Sequence, residues 1–315
     1  METIHLTYPH TLNKKDLRET VCAIGFFDGL HKGHLKVINQ AVSIAKQKNL
    51  ESAVITFHPH PRVVLSDESH GVKYITSLKE KQRILSELSI DRLYVITFNK
   101  ELSLLSPEKF VDHFLVQLNM KHVVGGFDYS YGYKGEGTME QMESLAKGQL
   151  TTTIVPKVEY NDEKISSTHI RHLLSKGSVE YVQELLGRPL RTDGIVVHGE
   201  KRGRTIGFPT ANVSIEEDCV APTVGVYAVK VIHEHQMYYG MANVGYKPTF
   251  IDDQEQATIE VHIFDFNKDI YDDQLSIQWY AFIRDEKKFS GVDSLITQIK
   301  QDEQAIKEFF KKKNI

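Results

Sequence analysis

Apolar runs of four to six residues recur through the first half of the chain. Val21-Cys22-Ala23-Ile24, Ala53-Val54-Ile55-Thr56-Phe57, Leu93-Tyr94-Val95-Ile96-Thr97-Phe98 and Lys121-His122-Val123-Val124-Gly125 have the length of buried strands. Between them the period changes. Leu35, Val37, Ile38, Ala41, Val42 and Ala45 recur at helical spacing, and 77–88 reads as a helix with Ser77 as N-cap and Glu80 completing a capping box. Another helix is predicted over 107–118, opening on Ser106-Pro107. Strands alternating with helices imply right-handed crossovers and a parallel sheet, with ligands outside the carboxyl ends of the strands. After a helical stretch ending at Leu186, Gly187-Arg188-Pro189 marks a boundary. Short strands then follow one another (194–198, 225–233, 237–244, 257–266, 275–282), the pattern of an antiparallel barrel or sandwich. Val292, Leu295, Ile296, Ile299, Ile306, Phe309 and Phe310 predict a closing helix over 291–312. The expected division is 1–186, α/β, and 187–315, all-β with a terminal helix.

A chain of 315 residues is long enough for two such cores. Its 41% hydrophobic and 25% charged content is that of an ordinary globular protein. A net charge of −4 argues against a broad nucleic-acid surface, though not against a local anion site. Cys22 and Cys219, with no C-x-x-C pair, offer neither a disulfide framework nor a zinc site and fit a reducing cytoplasm. No signal-like N-terminus, apolar run of membrane length, repeat or low-complexity segment is present.

The chemistry concentrates where strand gives way to helix, at Ile24-Gly25-Phe26-Phe27-Asp28-Gly29-Leu30-His31-Lys32-Gly33-His34. A glycine-containing turn into a helix aims backbone N–H groups and the positive dipole end at one spot, which suits an anion. His31 and His34 share that end, although a histidine in a first turn also serves as a cap. The string resembles the HxGH nucleotidyltransferase signature, in which an attacking phosphate displaces pyrophosphate from a nucleoside triphosphate. The loop after the fourth strand carries Asp128, Tyr129 and Tyr131 among glycines: tyrosines stack on flat rings, Asp128 accepts from an amino or ribose hydroxyl, and anchoring of a flexible loop explains the aromatics equally well. Ser166, Ser167 and Thr168 open a helix and offer hydroxyls to phosphate or to capping; Arg171, one turn in, is more than capping needs. His58 and His60 flank Pro59, but no third metal ligand is identifiable, so a rigid turn is the better reading.

In the second half, Gly199, Gly203 and Gly207 allow close approach to a phosphate chain, and Lys201, Arg202 and Arg204 add charge. No Gly-Lys-Ser/Thr ends the stretch, so it is not a Walker loop. Thr210 and Asn212, two apart in an extended segment, present hard oxygens on one face, where magnesium can bridge to phosphates. Glu260 alternates with Ile259, Val261 and Ile263; it is either a solvated residue on an outer face or a general base at a ligand mouth.

Together these motifs resemble, in order and over nearly the whole chain, the prokaryotic bifunctional riboflavin kinase/FAD synthetase family. The resemblance implies an N-terminal Rossmann-like FMN adenylyltransferase and a C-terminal six-stranded riboflavin-kinase barrel, working with ATP and Mg2+ on riboflavin, FMN and FAD. It implies that His31 and His34 hold ATP phosphates beside Gly25, Asp28, Gly29 and Gly33, with Ser166, Ser167, Thr168 and Arg171. Asp128 matches the Asp or Asn of the family's Gly-x-Asp-Phe-x-Phe-Gly loop. In the kinase, Gly207-Phe208-Pro209-Thr210-Ala211-Asn212 matches the magnesium-holding motif, Glu260 the catalytic base, and Asn243, Gly245, Pro248 and Thr249 the flavin-side loop. Phe26 stands where many members have Asn, and Tyr129 and Tyr131 replace a Phe pair. The alternatives are a flavin- or nucleotide-sensing protein that kept the fold without turnover, and another HxGH transferase with an unrelated barrel. Small molecules, rather than nucleic acid or membrane, are the expected partners.

Overall fold

The computed structural model describes residues 1–65, 73–199, 202–215, 219–248 and 255–315. They form two compact units, Met1–Ser166 and Ser167–Ile315.

In the first unit, β1 (Glu2–Leu6), β2 (Thr20–Ile24), β3 (Glu51–His58), β4 (Arg92–Thr97), β5 (Met120–Gly126) and β6 (Thr151–Val155) make one parallel sheet in the order β1-β4-β3-β2-β5-β6. The apolar runs divide by alternation. Cys22, Ile24, Ala53, Ile55, Tyr94 and Ile96 face one core, closed by α3 (Pro107–Val111) and α4 (Met139–Leu145) through Phe110, Met139 and Met142. Val21, Ala23, Val54, Leu93 and Val95 face the other, closed by α1 (Lys32–Lys48) and α2 (Leu78–Glu87). From β2 the chain moves to β3 and β4 on one side and then to β5 on the other. The crevice of this sheet therefore opens at the carboxyl ends of β2 and β5.

Three elements differ from expectation. β1 and β6, the two edges, were not predicted, because an edge strand is half-exposed and lacks the continuous apolar run of a buried one. Thr151-Thr152-Thr153-Ile154-Val155 is β-branched throughout but carries three hydroxyls in place of an apolar run, and the Thr152 N–H is capped by the Glu143 carboxylate at 2.5 Å. The helix expected over 107–118 is α-helical to Val111 and then widens into a π turn over Asp112–Val116, with Gln117 N–H reaching the Asp112 carbonyl. The His113 carbonyl bonds the His10 ring at 2.8 Å, and the His113 ring accepts from the His10 N–H, so this turn is reshaped by a tertiary tie.

The second unit begins with α5 (Ser167–Leu174) and α6 (Val179–Leu186), followed by β7 (Leu190–Val197), β8 (Ala211–Ile215), β9 (Gly225–His233), β10 (Gln236–Pro248), β11 (Glu255–Ile263), β12 (Gln274–Arg284) and α7 (Val292–Lys313). The strands close into an antiparallel barrel, β7-β8-β11-β10-β9-β12 and back to β7. Trp279 and Tyr227 fill its interior, the indole N–H donating to Thr192. α7 lays Ile306 and Phe310 on Val226, Ala228 and Tyr280, and Asp302, buried on α7, takes a bidentate Arg284 from β12. The composition change falls at Gly187, whereas α5 and α6 pack with the barrel: Thr223 N–H bonds the Leu174 carbonyl, and Glu180 accepts from Phe282 N–H.

Candidate active sites

The turn out of β2 is built against the backbone's preference. Phe27, Gly29 and Leu30 have φ of +54°, +84° and +43°, which for the two side-chain-bearing residues is a left-handed, costly conformation. It persists because buried groups grip it. The side chains of Phe27 and Leu30 are in the core, and a Cβ at Gly25 would meet the Phe27 ring at 2.8 Å, so that position needs glycine. Asp28, only 2% exposed, accepts from Ile75 N–H (3.0 and 3.3 Å) and Thr76 N–H (3.2 Å). It is thus placed as a brace between the turn and 75–76.

His31 is the N-cap of α1, its Nδ1 accepting from the His34 N–H at 3.2 Å. An accepting Nδ1 puts the neutral ring's proton on Nε2 and makes that nitrogen a donor. His34 stacks on His31 with centroids 3.5 Å apart, and Phe27 meets His34 edge-on. Capping and anion-donor readings of His31 are therefore compatible: one nitrogen closes the helix while the other carries the proton.

Across the crevice, the loop after β5 divides into anchors and an exposed tip. Tyr131 is 4% exposed, packs on Phe110 and donates to the Thr138 carbonyl; burial pushes its phenol up to about 12. Tyr129 stacks beside it on the same core. Asp128 is at the tip, paired with Lys164 at 2.6 Å, and both side chains are about half exposed. Ser166 ends the first unit, while Ser167, Thr168 and Arg171 lie on α5 of the second.

On the barrel, strand register brings distant residues together. Asn212 of β8 is opposite Glu260 of β11, and Glu260 is opposite Asn243 of β10. The three form one row on one barrel face, with Ile259 and Val261 buried on the other. Gly199 belongs to this arrangement: a Cβ there would overlap the Asn212 amide. Arg204, Pro209, Thr210 and Ala211 line a cleft of about 290 Å3 with Val196, Val261, Ile263 and residues 266–271. Gly203 and Gly207 lie in and just after a short helix, Arg202–Thr205, at its edge. Asn243, Gly245 and Pro248, expected as a loop, are in β10, whose long ladder with β11 runs to Pro248. Lys201 and Thr249 lie outside the described residues.

The family model described as FAD synthetase matches residues 13–169, and that described as riboflavin kinase matches 186–310. The bifunctional riboflavin kinase/FMN adenylyltransferase of Listeria monocytogenes is 49% identical over 312 residues, covering 99% of each chain. The protein of that name from Bacillus subtilis is 46% identical over 98% of each. The chain belongs to the bifunctional riboflavin kinase/FMN adenylyltransferase family. A crystal structure described as a macrolide-efflux protein from Streptococcus pneumoniae has the same fold as this family member, with TM-score 0.88 and 37% identity over 98% of this chain and 99% of that one. Among the described residues here, no helix is long and apolar enough to cross a membrane.

Several residues of this flavin-enzyme family member that the motifs did not announce bear on the sites. His262 lies two positions beyond Glu260 on the same face, and its Nδ1 donates to the Pro209 carbonyl at 2.8 Å, next to Thr210. Its place in the alternation with Glu260 was the available signal. Phe266, expected at the end of the strand 257–266 but lying beyond β11, which stops at Ile263, walls the cleft with Ile270 and Tyr271 from a segment with no pattern of its own. Lys81 is buried under the first turn, with nothing in the helical period to mark it.

Proposed function

We propose that the barrel unit phosphorylates riboflavin with ATP, giving FMN and ADP, and that the sheet unit joins FMN to a second ATP, giving FAD and pyrophosphate. The observation carrying this division is the Asn212–Glu260–Asn243 row, which sets a carboxylate among neutral amides on β8, β11 and β10, two of which, β8 and β11, also supply Ala211, Val261 and Ile263 to the cleft that Arg204 and Thr210 line. The ribityl hydroxyl of riboflavin is neutral and must lose a proton as it attacks, and Glu260 is the group to take it. FMN brings an ionised phosphate. The sheet site then has only to orient two anions and stabilise charge, through the donors of His31 and His34, the turn 25–33, Ser166, Ser167, Thr168 and Arg171.

In this reading Asp128, Tyr129 and Tyr131 form the FMN and nucleotide loop. Gly199, Lys201, Gly203, Arg204, Gly207 and Pro209 receive the kinase ATP, with Asn243, Gly245, Pro248 and Thr249 on the flavin side. Thr210 and Asn212 suit magnesium, since both offer neutral hard oxygens and the remaining ligands of such an ion come from phosphates and water. The ion neutralises phosphate charge when bound. The domains are 1–186 and 187–315 by motif, and the cytoplasm, with its ATP and reduced thiols, is the proposed place of action.

The test incubates the full chain with riboflavin, ATP and magnesium and separates the flavins over time. FMN should rise first and FAD should follow, with ADP and pyrophosphate as co-products. Flavin binding without either product would establish the sensing alternative instead.

A further inference from the structure

Lys81 is 4% exposed, on the first turns of α2. A buried ammonium is costly unless it is well bonded. Its Nζ donates to the Phe26 carbonyl at 2.7 Å and to the Thr56 hydroxyl at 3.0 Å, and that hydroxyl donates to the same carbonyl at 2.8 Å. The Phe26 ring lies 4.8 Å from Nζ. Burial lowers the Lys81 pKa to about 8, and the charge of Asp28 opposes that fall.

The two buried charges tie the same pair of segments in opposite directions. Lys81 of α2 reaches the turn at Phe26. Asp28 of the turn reaches back to the N–H groups of Ile75 and Thr76, just ahead of Ser77, the N-cap of α2. Between the two ties sits Phe27 with its φ of +54°. A strained turn holds its shape only where its surroundings over-determine it, and this double tie does so. It also accounts for Phe26: that position contributes a carbonyl to the ammonium and an aromatic face beside it, and needs no polar side chain.

We propose that Lys81 is a positioning residue for adenylyl transfer, fixing the turn 25–30 toward the nucleotide phosphates and adding positive charge behind it. This rests on the reading that the sheet unit makes FAD. Misplacing a phosphate-holding turn by about 1 Å costs about 100-fold in rate. The charged group facing Lys81 from the turn is Asp28; Phe26 and Thr56 face it with neutral oxygens, and Glu80 beside it on α2 is paired with Arg83.

The experiment measures FMN adenylylation and riboflavin phosphorylation side by side in the full chain. FAD formation by the wild type establishes the underlying reading, and its absence would refute that reading before Lys81 is tested. Lys81→Met should lower kcat for FAD formation about 100-fold and leave riboflavin phosphorylation within about two-fold. Thr56→Val, which removes one anchor and keeps the volume, should lose about ten-fold, by the same misplacement argument. Wild-type adenylylation should decline as pH rises through about 8, where Lys81 loses its charge, while Lys81→Arg should stay level. A Lys81→Met kcat within about three-fold of wild type, or the same alkaline decline in Lys81→Arg, overturns the proposal. Thermal unfolding of each variant shows whether the sheet unit folds. If Lys81→Met does not fold, the Thr56→Val rate and the two pH profiles decide.

Discussion

The two units treat the same ligand class, a nucleoside triphosphate, with opposite equipment. At the head of β2 the carboxylate in the motif, Asp28, is buried and engaged by backbone N–H groups, and the groups presented are a capped helix end and a histidine pair. On the barrel a carboxylate, Glu260, lies in a row of amides at half-buried depth. The difference follows from the acceptor. A hydroxyl has a proton to give up and a phosphate does not, so only one site needs a base. A carboxylate braces the turn in one unit, and on the proposed reading a carboxylate takes the proton in the other; burial and hydrogen bonding to backbone N–H groups set Asp28 apart from Glu260.

Variants can pull this contrast apart. The largest effect is expected from replacing His31 and His34 together by alanine. Each donor to developing charge is worth about 100- to 1,000-fold, so FAD formation from supplied FMN should fall about 10,000-fold with riboflavin phosphorylation unchanged. Adenylylation surviving at a tenth of wild type would remove the histidines from the phosphate site. Next comes Glu260→Gln, which keeps the shape of the row and removes the base. Riboflavin phosphorylation should drop about 1,000-fold, FAD formation from FMN should persist, and near-normal FMN production would refute the assignment. The smallest is Gly199→Ala. Its new methyl would displace the Asn212 amide, and a shift of this kind should raise the magnesium and ATP requirement of the kinase about ten-fold without touching adenylylation. Kinase kinetics indistinguishable from wild type would show that Asn212 has no part in the row's work.

Much of this was legible in the chain. The four central strands of the sheet announce themselves as apolar runs, and the strand-to-helix turn as a glycine and histidine string, because both obey local rules. β1 and β6 are less plain because they are edges without a continuous apolar run, and Ala211–Ile215, which does alternate, reads only as an extended segment at Thr210 and Asn212 because it is short. The motif placed Asp28 among phosphate ligands, but spacing cannot reveal that 75–76 come back to meet it. Lys81 is hidden for the same reason. On a helical wheel a lysine reads as solvated, and only the sheet above it makes it a buried cation. For Glu260, register, a non-local property, adds what alternation lacks, its placement opposite Asn212 and Asn243.

Barrel closure has a consequence for association as well as for chemistry. Among the described residues its six strands close on one another, each pairing with a neighbour on both sides, which leaves no edge strand for intermolecular strand addition. The sheet unit ends on β1 and β6. On β6 the carboxylate of Glu143 occupies both the Thr152 N–H and its hydroxyl, and those bonds hold the carboxyl below its usual range. The guard therefore stays in place until the solution is more acidic than an ordinary glutamate tolerates. Below that point the Thr152 N–H and hydroxyl lose their charged acceptor, and this edge of the sheet is less well blocked than at neutral pH.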